Sequence, residues 1–216
     1  MKNLDVRWLG RLDFQDGLKI QDDVVADVRD GRAGPTLLVL EHHPVFTIGR
    51  TRDRSSLLDA EALPFPVHEI NRGGQATYHG PGQLVGYPIL DLHHYGRDLH
   101  RYLRFLEDVL ISALGELGIS AGRRDGLTGV WVDDRKIASI GVGVRHWVTM
   151  HGFALNVSGE LAGFSNIIPC GIAEVEMTSI ERELGSAPSV EEFGERVALH
   201  FGRGLAAISS ESEEAT

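Results

Sequence analysis

A mixed fold of strands and helices, α/β in the α+β sense, is predicted by three observations. Strand-length apolar runs and helix-length amphipathic stretches are interspersed along the 216 residues without regular βαβ alternation. The run TLLVLEH, Thr36 to His42, is continuously apolar at strand length, the pattern of a strand buried on both faces of a sheet. Helical periodicity is confined to three segments, and no internal repeat is visible.

Leu4, Val6 and Trp8 alternate with polar residues and predict a first strand. A helix should follow from about Phe14 to Val28, because Phe14, Leu18, Gln21, Val25 and Val28 recur at spacings of three and four and Gly31 lies just beyond. After TLLVLEH, Pro44 interrupts the chain and Val45 to Ile48 can form a short strand. Arg72 to Gln83 carries Gly73, Gly74, Gly80, Gly82 and Pro81 and predicts a loop. Leu84 to Leu90 returns to strand composition. The clearest helix begins after Asp98, with Leu99, Tyr102, Leu103, Leu106, Val109, Leu110, Ala113, Leu114 and Leu117 on one face and Gly118 as its stop. Further strands are predicted at Gly129 to Val132, Lys136 to Val144 and Val148 to Val157. The last helix opens on Ser189 and Glu192, a capping-box spacing, ahead of Phe193, Val197 and Phe201.

The length suits one domain, taken as residues 1–208, and 42% hydrophobic against 24% charged residues excludes a largely disordered or fibrous chain. Residues 209–216, with Glu211, Glu213 and Glu214, are expected to be an acidic, frayed end. A net charge of −10 argues against nonspecific binding to nucleic acid or anionic membranes. No run approaches the roughly 20 apolar residues of a membrane helix, and no signal-peptide core is present. A single cysteine suits a reducing compartment, so a cytoplasmic location is expected.

That cysteine, Cys170 in IIPCGI, is the first candidate for chemistry, since Pro169 and Gly171 would present it in a turn. A thiol with its ordinary pKa of about 8.5 needs a nearby cation or dipole to act as a nucleophile at neutral pH. The alternative, a small buried hydrophobe, stays open. Lys136, heading the strand KIASIGVGV, would favour a thiolate if the fold brought the two together; a solvated strand-start lysine is the other reading. His79 in TYHGPG and His151 in MHGFAL each sit beside a glycine and are either functional or structural imidazoles. The pairs His42/His43 and His93/His94 are adjacent and diverge, and no HExxH occurs, which argues against a metal site. RGGQATYHGPGQ matches neither the dinucleotide nor the Walker fingerprint. Its glycines could offer backbone amides to a carbonyl oxygen or let the chain approach an acyl tail, with Arg72 for an anionic group; a plain loop is the alternative.

Taken together, RGGQATYHGPGQLVGYPILDL (Arg72 to Leu92), KIASIG (Lys136 to Gly141), HGFALNV (His151 to Val157) and PCGI (Pro169 to Ile172) closely resemble the lipoyl(octanoyl) transferase family in order and spacing. The resemblance implies a larger and a smaller mixed sheet flanked by helices, as in lipoate-protein and biotin-protein ligases. It implies transfer of an octanoyl group from acyl carrier protein to a lysine of lipoyl domains in 2-oxoacid dehydrogenases or the glycine cleavage H protein. Cys170 matches the family's acyl-thioester nucleophile and Lys136 the lysine that lowers its pKa and acts as acid/base. Arg72, Gly73, Gly74, Gln75, Ala76, Thr77, Tyr78 and His79, then Ser139, Ile140 and Gly141, then Gly152, Phe153 and Ala154, match its substrate-binding segments, with a second role open for His151. No cofactor is implied, because thioester exchange is nearly balanced and thioester-to-amide transfer runs downhill without ATP. Two other classes compete: an ATP-dependent lipoate or biotin ligase of the same fold, which needs no cysteine nucleophile, and a noncatalytic acyl-binding module, which would tolerate loss of Cys170. Some of the basic run Arg50, Arg52 and Arg54, with Arg72, Arg145 and His146, are expected to converge on one rim of the site and steer an acidic carrier; a solvated loop with scattered arginines is the other reading.

Overall fold

The computed structural model describes residues 3–59, 62–168 and 175–214, the last six of these as backbone only. Among the described residues, ten strands form two sheets. The larger has seven strands in the order β1-β2-β6-β10-β9-β8-β7, built from β1 (Asp5–Leu12), β2 (Thr36–His42), β6 (Gln83–Ile89), β10 (Val148–Asn156), β9 (Arg135–Arg145), β8 (Leu127–Val132) and β7 (Gly122–Arg124). The smaller has the order β4-β3-β5, from β4 (Val67–Glu69), β3 (Val45–Ile48) and β5 (Thr77–His79). Both are mixed: β1 runs parallel to β2 and β4 parallel to β3, while the other pairs are antiparallel. The predicted fold class is therefore observed.

β2 shows why its sequence is apolar throughout. Leu37 and Val39 enter the core under α2 (Leu99–Gly115) and α4 (Val190–Glu214), whereas Leu38 and Leu40 enter a second core under α1 (Phe14–Arg29). Successive side chains of a strand point to opposite faces, so a strand covered on both sides must be apolar at every position. α2 and α4 meet through Phe105 and Phe201, whose rings are 5.0 Å apart and edge to face. A third apolar cluster, with Phe46, Tyr78 and Phe164, lies under the small sheet.

The helices begin where expected. Asp98 Oδ1 accepts the Arg101 N–H at the start of α2, and at α4 Ser189 Oγ accepts the Glu192 N–H while Glu192 Oε2 accepts the Ser189 N–H. α2 ends at Gly115, a few residues before Gly118, where φ of +81° turns the chain. The acidic segment expected to fray is drawn into α4 as far as Glu214. Within the stretch read as a loop from Arg72, β5 is a three-residue strand, too short between glycines to show alternation. β4 and β7 are likewise held by strand pairing, and the short α3 (Ile180–Leu184) by its Ser179 cap and by the Glu181 N–H donating to Val157 O. Among the described residues no helix is long and apolar enough to cross a membrane.

Candidate active site

The two sheets meet along a cleft lined by Phe14, Ile70, Arg72, Gly74 to Thr77, His79, Val85, Tyr87, Ser139 to Gly141 and His151 to Ala154, enclosing about 510 Å³ of empty space counted to its open mouth. Three sequence segments far apart in the chain are thus brought together by one piece of geometry. Strands β9 and β10 are antiparallel, with Ser139 opposite Ala154, Ile140 opposite Phe153 and Gly141 opposite Gly152, so the KIASIG and HGFALNV segments share one patch of sheet. The RGGQATYH segment crosses its edge, where the Gly73 N–H donates to Val142 O at 2.9 Å.

Close approach explains two of the glycines. A Cβ on Gly141 would lie 3.0 Å from Arg72 Cδ and 3.1 Å from Gly73 O, and one on Gly152 would strike Gly86 O and Pro88 Cδ. Gly73 contributes through its backbone and does not line the cleft. Tyr78 points the other way. Alternation along β5 turns Thr77 and His79 to the cleft and sends the Tyr78 ring among Phe46, Phe65 and Phe164.

Arg72 is the cleft's buried cation. Its Nη2 donates to Thr47 O at 3.0 Å and Thr47 Oγ1 at 2.8 Å, and its Nη1 donates to Gly73 O at 2.9 Å. Two buried imidazoles, His79 and His151, feel its charge, and a third, His42, has its ring 5.9 Å from that of His79. His42 donates from Nδ1 to Leu12 O at 3.2 Å, which leaves Nε2 to accept the Tyr87 hydroxyl at 2.7 Å. Burial pushes His42 and His151 down to about 4, aided for His151 by the Arg72 charge. Burial, then the nearby His42, pushes His79 to about 3. All three rings are neutral at pH 7, and burial holds the Tyr87 phenol protonated. The His151 backbone has φ of +56°, unusual inside a strand, and its N–H donates to the buried Gln21 Oε1 at 2.7 Å. Gln21, read from its spacing as part of the apolar face of α1, is the polar member that holds the His151 backbone from behind the cleft lining.

Lys136 is buried but lies outside the cleft lining. Its ammonium stands 5.2 Å from the centre of the Trp131 ring. Gly129, with φ of +129°, clears the path for it: a Cβ there would come within 2.7 Å of Lys136 Cε and 2.6 Å of Ala138 O. The Gly129 N–H is held by the buried Glu107, whose other oxygen takes Arg104 at 2.7 Å and Arg123 at 2.6 Å. Lys136 N donates to Glu176 O and Lys136 O accepts from Thr178, so the chain after residue 174 runs beside it. Cys170 lies outside the described residues.

Of the expected basic rim, Arg50 and Arg52 line a second cleft with Glu69, Ile70 and Asn71, and Ile70 also lines the first. Arg52 and Arg54 reach Glu69 at 3.7 and 3.1 Å. Arg72 is buried within the site, while Arg145 is exposed at the end of β9 beside His146 in the turn to β10. Sequence reasoning missed Phe14, Ile70, Val85 and Tyr87 in the lining and Thr47 behind Arg72. Each sits in an ordinary apolar or strand context, so no local signal marks it. No group of three or more potential metal ligands occurs among the described residues.

Residues 13–202 match the family model described as the lipoyl protein ligase A/B catalytic domain. The chain belongs to this family. It is 55% identical over 193 residues to an octanoyltransferase of Geobacter sulfurreducens, covering 89% of this chain and 81% of that one. It is 53% identical over 196 residues to an octanoyltransferase of Geobacter metallireducens, covering 91% of each. Among solved structures, a lipoate-protein ligase A bound with ATP superposes with a TM-score of 0.78 at 16% identity, over 97% of this chain and 94% of that one. The biotin protein ligase of Aquifex aeolicus with biotin and ATP gives 0.61 at 16%, over 97% and 73%. At such identities the structural likeness speaks for the fold alone. The assembled cleft therefore sits on a scaffold that these two ligases share.

Proposed function

We propose that this chain transfers an octanoyl group from octanoyl-acyl carrier protein, through a thioester on Cys170, to a lysine of lipoyl domains, an early step of lipoate biosynthesis in the cytoplasm. The observation that carries the reading is the cleft itself: three segments that resemble the transferase family's substrate-binding segments line one pocket, in a chain about half identical to octanoyltransferases. The acceptors are the lipoyl domains of 2-oxoacid dehydrogenases and the glycine cleavage H protein.

The chemistry follows from the groups present. A Cys170 thiolate attacks the donor's thioester carbonyl, and collapse of the tetrahedral adduct expels the carrier's thiolate, which takes a proton from the Lys136 ammonium and leaves that lysine a neutral amine. The acceptor's amine then attacks the Cys170 thioester, the Cys170 thiolate leaves, and the amine's surplus proton passes to Lys136. The apolar wall of Phe14, Ile70, Val85, Ile140 and Phe153 suits the acyl tail. At about 0.8 kcal/mol per buried CH₂, the depth of that wall discriminates chain length. What flanks Cys170 supports its placement in this chemistry. The Ile168 N–H donates to Ser56 O, Ser56 Oγ accepts from Ala76 of the cleft, and the segment after residue 174 pairs with Lys136.

Intact-protein mass spectrometry after incubation with octanoyl-acyl carrier protein and no ATP should show one added octanoyl group, labile to hydroxylamine. The same adduct on Cys170→Ala would overturn the assignment.

A further inference from the structure

Gln83 and Asn156 lie within the motif segments TYHGPGQ and HGFALNV, yet both are buried and neither lines the cleft. They form a chain of hydrogen bonds between two backbone carbonyls and His79. Asn156 Nδ2 donates to Thr178 O at 2.9 Å; a carbonyl only accepts, so the atom facing it must be nitrogen. Asn156 Oδ1 is thereby turned to Gln83, whose Nε2 donates to it at 3.0 Å. Gln83 Nε2 also donates to Tyr78 O at 3.2 Å, a second carbonyl that demands the same orientation. Gln83 Oε1 then faces His79 Nδ1 at 2.7 Å, and since that oxygen only accepts, Nδ1 carries the ring proton. Nε2 is left bare. Thr47 Oγ1 accepts from Arg72 at 2.8 Å and keeps its own hydroxyl proton, which can point to Nε2 only over a long 3.5 Å contact that an incoming donor would displace.

We propose that Gln83 and Asn156 are positioning residues that lock His79 in its Nδ1–H tautomer, so that this cleft residue offers a hydrogen-bond acceptor at Nε2 and no proton. Burial keeps the ring neutral at pH 7, which agrees with the hydrogen-bond polarity. The role that follows is specific. His79 can receive an N–H of the incoming amine and orient its lone pair toward the acyl carbon, but it cannot donate to the tetrahedral oxyanion. Donors to that oxygen must come from Arg72 or from backbone N–H groups of the glycine segments. The amine-orienting role rests on the acyl-transfer reading above; the tautomer does not.

The test separates the two. Long-range ¹H–¹⁵N correlation spectra of the resting enzyme, labelled at histidine nitrogens, should show His79 protonated at Nδ1 and bare at Nε2. The opposite pattern overturns the inference whether or not octanoyl transfer is observed. Gln83→Met removes the acceptor and should release the ring toward Nε2–H, lowering kcat about tenfold, as for loss of one hydrogen bond, with little change in KM for the acyl donor. Gln83→Glu keeps an acceptor at Nδ1 while its second oxygen, facing Asn156 Oδ1 and Tyr78 O, must carry a proton in place of the amide N–H; it should restore the tautomer and part of kcat, a rescue that a packing role alone does not give. An unchanged tautomer in Gln83→Met would refute the positioning role.

Discussion

The three buried imidazoles make stability depend on pH below 6.5. Unfolded, each histidine takes up a proton near 6.5. In the native protein His42 and His151 do so only near 4 and His79 near 3. Below 6.5 the unfolded chain thus binds more protons than the folded one. The stability is fully present above 6.5 and is lost as the pH falls toward the native values. At pH 5 the protonation of one unfolded imidazole that the native state refuses is worth about 2 kcal/mol, and three together about 6 kcal/mol. Net stabilities of domains are roughly 5–15 kcal/mol, so the loss is a large share of the whole. Carboxylates contribute little between pH 7.5 and 5 because their unfolded pKa values lie near 4. Urea unfolding followed by tryptophan fluorescence at pH 7.5, 6.5 and 5.0 measures the effect, and His79→Gln should remove about a third of the pH dependence. A free energy flat from pH 7.5 to 5.0, or ring-proton titrations of these three histidines centred near 6.5, would refute the reasoning.

Three further outcomes are expected. Gly86→Ala drives a methyl into the Phe153 ring and should cost about 1–3 kcal/mol, lowering Tm by roughly 2–4 °C per kcal/mol; an unchanged melting curve would show that Phe153 swings away freely. Lys136→Arg keeps a charge but surrenders a proton poorly, so octanoyl transfer should fall about a hundredfold or more while Cys170 alkylation near pH 7 persists. Loss of both together would mean that lysine supports the site's structure alone. Reversing Arg50, Arg52 and Arg54 to Glu should raise KM for octanoyl-acyl carrier protein about tenfold at low salt and leave octanoyl-coenzyme A much less affected. Equal losses with both donors would refute docking at this rim.

A lipoate-protein ligase A and a biotin protein ligase, each solved with ATP bound, share this scaffold, so the fold by itself does not choose between activation by nucleotide and transfer from a thioester. The choice is carried by residues. RGGQATYHGPGQ and PCGI resemble the transferase family, and the curated relatives at about half identity are octanoyltransferases.

The sequence alone determined the elements whose burial is written in their own period. β2 is apolar at every position because both faces are covered, and the stripe of α2 from Tyr102 to Leu114 is legible because one helix face meets one core. The cleft segments were legible through their glycines and their resemblance to a family. What only the tertiary structure decided is of another kind. β4, β5 and β7 are three residues each and exist through their partners. Thr47 supports Arg72 from another strand, Gln21 reaches His151 from α1, and Asn156 sets the proton of His79 through Gln83. Local sequence carries periodicity and backbone preference. The direction of a buried hydrogen bond is settled by which carbonyl stands opposite, and that depends on residues distant in the chain.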